Sequence, residues 1–144
     1  MNVKLTLRLA TLDDGPMLLE WRNDRATREA SHTAGVVELP NHMEWLEKTL
    51  LNPNRSLFVA ENSGVAVGTV RADFDGFETE LSWTVAPEAR GNGFAKTMIL
   101  LAMEQVAGPF KAEVKKDNEA SLRVAAGIGL LVEKEIDGIV YFRS

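Results

Sequence analysis

The chain has no cysteine, a single tyrosine and only two histidines, and it contains no apolar run long enough to span a bilayer. Without cysteine there are no disulfides, no thiolate metal ligands and no thiol nucleophile to carry an acyl group. His32 and His42 are not joined by any close set of carboxylates, so no metal centre is expected. Basic residues are scattered, with no run longer than Lys115 and Lys116, and the formal charge is −5, which argues against a nucleic-acid surface and mildly favours cationic partners. The opening MNVKLTLRLATLDD lacks the apolar segment and cleavage site of a secretion signal, so a cytoplasmic protein with no membrane partner is expected. What is present, 144 residues at 45% hydrophobic content, suffices for one compact domain covering 1–144.

The most informative stretch is LSWTVAPEARGNGFAKTMILLAMEQVAGP, residues 81–109. Residues 81–85 carry the β-branched and aromatic side chains of a strand, which Pro87 ends because its ring nitrogen has no hydrogen to give a ladder. Residues 94–106 are apolar nearly all round and read as a helix packed on more than one side, stopped by Gly108 and Pro109. Between them lie Arg90, Gly91, Asn92 and Gly93. Two glycines let the backbone come close to a ligand, and the first N–H groups of the helix have no partner within it. With the positive end of the helix dipole, and with Arg90 and Lys96 adding charge, the turn suits a phosphate or pyrophosphate. It is neither of two common nucleotide loops: the Walker pattern needs glycine at Arg90 and Ala95, and the dinucleotide fingerprint needs it at Lys96.

Elsewhere, residues 3–9 alternate with Val3, Leu5, Leu7 and Leu9 on one face, as in a half-buried strand. A helix is expected after TLDD, with Met17, Leu18 and Trp21 along its stripe and a polar end at Arg22, Asn23, Asp24 and Arg25. A second helix is expected over 41–50, capped by Asn41. Residues 56–60 and 66–71 form a hairpin, and a turn at Asp75 and Gly76 leads to a third strand over 79–85. Residues 110–114 form a strand, 120–126 a helix ended by Gly127, and 132–136 with 139–143 a hairpin around Asp137-Gly138.

Val85, Pro87 and Glu88 (V-x-P-E) followed by Arg90, Gly93 and Ala95 (R-x-x-G-x-A) resemble the acyl-CoA loop of the GNAT superfamily of N-acetyltransferases. The resemblance implies an α/β fold: a central mixed, mostly antiparallel sheet of about seven strands with about four helices, the fourth and fifth strands splayed around acetyl-CoA. It implies that Trp83, Thr84 and Val85 run along the cofactor, and that Arg90, Gly91, Asn92, Gly93, Phe94, Ala95 and Lys96 hold its pyrophosphate. The later segment, with Asn118, Ala120, Ser121 and Gly129, resembles the family's second motif, placing Asn118 beside the pantetheine and Ser121 near the pyrophosphate. Asn118 equally suits a helix cap. The segment departs from the pattern at Ala125, where a tyrosine often serves as the acid, and at Leu130, where an aromatic is common. Residues Trp21, Arg22, Asn23 and Asp24, then Arg28, Ser31, His42 and Trp45, resemble the ribosomal-protein and amino-sugar acetyltransferase branch, which implies acceptor-binding roles for Trp21, Arg22, Asn23 and Arg28. For Trp21 and Trp45 core packing is the plainer alternative.

Attack by an amine requires a base. Glu80 is the first candidate, sharing a strand face with Ser82 and Thr84, followed by Glu78 and His42; a solvated glutamate on a strand face is the alternative for Glu80, and a solvated neighbour of a helix cap for His42. The family resemblance assigns the Val85 N–H to polarising the thioester oxygen. The partners expected are acetyl-CoA and an amine acceptor, with transfer direct between them, and the apolar C-terminal hairpin suggests a homodimer.

Overall fold

In the computed structural model, which describes residues 4–32 and 35–144, seven strands form one sheet in the order β1-β2-β3-β4-β5-β7-β6. The strands are β1 (Leu5–Leu9), β2 (Arg55–Asn62), β3 (Val65–Phe74), β4 (Thr79–Val85), β5 (Phe110–Lys115), β6 (Leu131–Ile136) and β7 (Ile139–Arg143). The helices are α1 (Gly15–Asn23), α2 (Arg25–Ala30), α3 (Leu39–Leu51), α4 (Phe94–Gln105) and α5 (Glu119–Gly127). Every pairing is antiparallel except β4 with β5, which run parallel because α4 carries the chain back to the starting end of the sheet.

The period-2 pattern sorts side chains to two faces. Val70, Ala72 and Leu81 are buried on the face that meets α4, whose Met98, Ile99 and Ala102 are fully buried. Fully burying a side chain the size of Met98 or Ile99 contributes about 1.5–3 kcal/mol. Gly68 lies on the same face, and a Cβ there would stand 2.7 Å from the Thr84 carbonyl oxygen and 2.8 Å from Met98 Sδ. The opposite face carries Thr69, Arg71 and Asp73 of β3 beside Thr84, Ser82 and Glu80 of β4; α3 packs on the neighbouring β2 with α1 against it, and its Trp45 approaches Arg71.

Several expected boundaries move. Val3 lies outside the described residues, and Leu9, at the end of an edge strand, is 63% exposed. The second expected helix begins at Leu39 rather than Asn41, because Pro40 fits a first helical turn whose N–H groups have no intrahelical acceptor; Glu38 is the cap residue and Asn41 lies inside. Helix α5 runs through Gly127, and it is Gly129, at φ +98°, that takes the left-handed turn while Gly129 and Leu130 donate back to the carbonyls of Ala126 and Ala125. The turn comes late because Ile128 must first be buried. The final hairpin turns as expected, with Asp137 at φ +51° and Gly138 at φ +79°.

Helix α2 was not anticipated; with it the described residues form five α-helices. The Asp24 carboxylate accepts from the Thr27 N–H at 3.2 Å and caps it, so the polar cluster read as the tail of α1 contains the start of another helix.

Replacing Gly68 with Ala is expected to destabilise the fold by about 1–3 kcal/mol, since a backbone oxygen blocks the new methyl. Urea denaturation reads this as a lower midpoint at unchanged slope.

Candidate active site

Strands β4 and β5 pair only at Thr79 with Phe110 and at Glu80 with Lys111. Beyond that point they part, and a cleft of about 1080 Å³ opens between them. The Thr79 N–H donates to the Pro109 carbonyl toward β5, and the Ala86 N–H donates to Val67 toward β3. Since N–H groups alternate along a strand, those of Trp83 and Val85 point into the gap. A strand edge opened inside a protein leaves donors that an amide-bearing ligand arm can take up.

At the mouth of the gap the chain turns through Gly91 at φ +81° and Gly93 at φ +73°. A Cβ at either position would meet nothing within 4 Å, so glycine is required by the left-handed backbone rather than by crowding. No side chain caps α4, and among the described residues the N–H groups of Gly91, Asn92 and Gly93 have no acceptor. The Asn92 side chain donates to the Ala89 carbonyl at 2.9 Å and holds the turn shut. Lys96 extends from the first turn of α4 across Gly127 of α5 and makes no ion pair among the described residues. These open donors beside an unpaired ammonium fit a diphosphate.

Arg90 is held differently. Its Nη2 lies 2.7 Å from Asp24 Oδ2 and 3.1 Å from Thr27 Oγ1, tying the loop to the start of α2. The guanidinium keeps the Asp24 carboxyl below its ordinary range. From the other end of α2, the Glu29 carbonyl accepts from Lys115 Nζ of β5 at 2.9 Å. Helix α2 thus spans the cleft between the loop and the far strand. At the start of α5, the Asn118 side-chain oxygen accepts from the Ser121 N–H at 3.1 Å, so Asn118 is a cap, and both residues also line the cleft.

The three carboxylate and imidazole candidates separate. Glu80 lines the cleft on the face shared with Ser82 and Thr84, where burial pushes its carboxyl above the ordinary range; Glu113 and Asp73 push the same way, and Lys111 and Arg71 oppose. Glu78 is not among the lining residues, and its Oε1 lies 3.1 Å from Arg143 Nη2. His42, considered as a base or as a solvated neighbour of a helix cap, lines the cleft but is not solvated, at 1% exposure. Its Nε2 donates to the Gly15 carbonyl at 3.0 Å, which leaves Nδ1 as acceptor for Arg22 Nη1 at 3.4 Å. Burial above all, and Arg22 after it, push its pKa down, so the ring stays neutral with both nitrogens engaged.

The four N-terminal residues separate too. Trp21 is core at 4% exposure while touching the cleft, and Arg22 lines it. Asn23 does not: its amide oxygen accepts from the Val37 N–H at 2.8 Å and its amide nitrogen donates to the Val37 carbonyl at 2.9 Å, so it clamps the segment entering α3. Arg28 donates from Nε to the Asn23 carbonyl at 3.1 Å and is not among the lining residues.

With this geometry in view, the comparison with known families is direct: residues 4–131 match the model of the acetyltransferase (GNAT) domain. The chain belongs to the GNAT family. Its activity class follows, acetyl-CoA-dependent N-acetylation, with acetyl-CoA as co-substrate. Solved structures share the GNAT fold. The aminoglycoside acetyltransferase AAC(6')-Ib in complex with coenzyme A is 18% identical at TM-score 0.83, over 98% of this chain and 94% of that one. Spermidine N-acetyltransferase from Vibrio cholerae in complex with CoA and spermine is 20% identical at TM-score 0.81, over 96% and 92%. A putative acetyltransferase from Salmonella typhimurium with its cofactor acetyl-CoA is 21% identical at TM-score 0.76, over 97% and 92%. No curated protein matches by sequence.

Within this GNAT chain, Ala125 is fully buried and absent from the cleft lining, so α5 supplies no acid there. Tyr141 lies on β7 with Lys134 Nζ 5.1 Å above its ring. Among the described residues, no group of three or more histidines and carboxylates is arranged to hold a metal. Sequence reasoning missed Arg71, Glu113 and Lys115 as cleft residues. Arg71 was within reach of it, because the hairpin register sets Arg71 opposite Ser82, one diagonal step from Glu80.

Because the folded-state pKa of Glu80 is raised, the native protein holds its proton more tightly than the unfolded chain does, and stability falls as pH rises from the ordinary carboxylate pKa through the raised one. Glu80→Gln removes that penalty. Its melting temperature relative to the parent is therefore expected to become more favourable as pH rises above the ordinary carboxylate pKa of about 4.3. A difference that stays flat with pH would show that burial does not penalise the charge.

Proposed function

We propose that this GNAT domain, a single unit over 1–144, transfers acetyl directly to a primary amine of a small molecule, an amino sugar or a nucleotide-linked amino sugar, with a protein N-terminus as the next choice. This is the ribosomal-protein and amino-sugar branch, and the cytoplasm is its place, since acetyl-CoA is an intracellular co-substrate. The observation that carries the reading is Glu80, a carboxylate with raised proton affinity at the point where β4 and β5 separate. A base whose pKa lies nearer neutrality takes a proton from an ammonium more readily than an ordinary carboxylate does.

The residues that would hold acetyl-CoA are Trp83, Thr84 and Val85 along the strand, Arg90, Gly91, Asn92, Gly93, Phe94, Ala95 and Lys96 at the loop, and Asn118 and Ser121 on the far side. Within this set Arg90 fixes the loop to Asp24, and the open N–H groups and Lys96 would face the phosphates. When bound, acetyl-CoA supplies an acetyl thioester whose thiol, with an ordinary pKa of about 8.5, can depart without the acid that Ala125 lacks. The Val85 N–H is aimed to stabilise negative charge on an oxygen in the gap. Glu80 accepts the amine proton, directly or through one water, and Ser82 and Thr84 line the path along the same face. Neither Glu78, paired with Arg143, nor His42, with both nitrogens engaged, offers a free basic atom to the cleft.

A homodimer is proposed through the C-terminal hairpin: β6 is an outer strand with Leu131 and Val132 exposed at 73% and 62%. The competing reading, a module that binds acyl-CoA without turnover, draws on the buried Ala125. Steady-state turnover over an amine panel separates the two. Glu80→Gln is expected to lower kcat by about 10²- to 10⁴-fold while leaving calorimetric CoA affinity within about twofold, the range set by loss of a general base. Equal rates would remove Glu80 from the reaction. Gly93→Asp places a carboxylate against the diphosphate at a left-handed position and is expected to abolish CoA binding; unchanged affinity would overturn the loop assignment.

A further inference from the structure

The acceptor half of the cleft contains a charge that the transfer chemistry does not use. Arg22 projects from α1 with its guanidinium carbon 4.9 Å from the centre of the Trp45 ring, on which it stacks. Among the described residues its polar partner is the neutral imidazole of His42, at 3.4 Å, and no carboxylate reaches it. Arg71 approaches the same ring, its guanidinium carbon 6.0 Å from the centroid. Arg71 is paired through Nε with Asp73 at 3.0 Å, which leaves its terminal nitrogens without a carboxylate among the described residues. Two guanidiniums therefore share one aromatic wall with a single carboxylate engaged. Burial and the repulsion of Arg71 both disfavour the charged form of Arg22, a cost that persists until an anion arrives.

The wall stands at a defined place relative to the proposed base. Arg71 is opposite Ser82, and Glu80 is two residues from Ser82 on the same face, so Arg71 and Glu80 are diagonal neighbours about 7–8 Å apart at the backbone. A small molecule can therefore reach both with an amine at one end and an anion at the other. A polyamine would set its second cation against Arg22 and Arg71.

We infer that Arg22 and Arg71, braced on Trp45, form an oxyanion subsite that selects an acceptor carrying a phosphate or carboxylate beside its primary amine. This rests on the reading of Glu80 as the base and deepens it: one end of the cleft takes the amine and the other the anion. Guanidinium pairs recognise oxyanions through parallel N–H donors, which gives orientation as well as affinity.

The test uses the full chain saturated with coenzyme A, which lacks an acetyl group and so lets amines bind without reacting. Glucosamine, glucosamine 6-phosphate, glucosaminate and spermine are titrated by calorimetry. One or both oxyanion-bearing amines are expected to bind about tenfold or more tightly than glucosamine and spermine, the effect of one charge-assisted hydrogen bond or more. Which of the two is tighter distinguishes phosphate from carboxylate. In Arg22→Met, which keeps the apolar stem on Trp45, the preference should collapse toward unity. In the parent it should also shrink as KCl rises from about 0.05 M to about 0.5 M, a readout that needs no variant. Equal affinity for all four amines, tighter binding of spermine, no binding by either anionic amine, or a preference untouched by both Arg22→Met and salt would each overturn the subsite. Turnover of the same amines with acetyl-CoA is measured separately, so an inactive protein that still prefers the anionic amines removes the proposed activity and leaves the subsite standing.

Discussion

The structure depends on the early separation of two parallel strands. β4 and β5 share two residue pairs and then diverge, although each remains fully supported on its outer side, by β3 and by β7. Backbone donors left open inside a protein cost free energy unless something meets them, so a gap of this kind persists where a ligand's amides can substitute for the missing strand. The sheet is held together across the gap by other means. At one end the ladder closes at Thr79, whose hydroxyl also donates to the Ala107 carbonyl at 2.6 Å. At the other, α2 runs from Arg90 on one side to Lys115 on the other.

This arrangement divides the work among charges. The cationic residue of the loop most obviously suited to phosphate, Arg90, is used to anchor the loop to Asp24, and the loop's N–H groups and Lys96 are left open among the described residues. The same division holds at the base of the cleft. Asp73 is paired with Arg55 and Arg71, whereas Glu80 is half-buried with two carboxylates disfavouring its charge. A group that lowers stability when ionised, held where β4 and β5 part, is the arrangement expected where function is maintained against stability.

The chemistry-bearing features that were legible in the sequence are those set by local geometry. Gly91 and Gly93 are needed for a left-handed backbone whatever packs nearby, and Asp137-Gly138 turns its hairpin for the same reason. The alternation of Glu80, Ser82 and Thr84 against Leu81, Trp83 and Val85 follows from the period of a strand. Helix α2 was missed because six residues show too little periodicity to register, although its capping pair, Asp24 and Thr27, was visible.

The rest is decided by what lies across from each side chain. Glu78 and Glu80 are two residues apart and alike in sequence, yet Arg143 from the last strand neutralises one and the cleft buries the other. Asn23 and Arg22 are adjacent, yet one is spent on the Val37 backbone and the other is stacked on Trp45 with no carboxylate in reach among the described residues. His42 is neutral because the fold buries it beside Arg22, and the Gly15 carbonyl fixes which ring nitrogen carries the proton. The sequence by itself determined the backbone conformations, the strand faces and the family. Only the tertiary structure decided which charges were left unpaired, because a charge's partner comes from wherever the fold brings a distant segment, and its energy depends on distance and burial rather than on position along the chain.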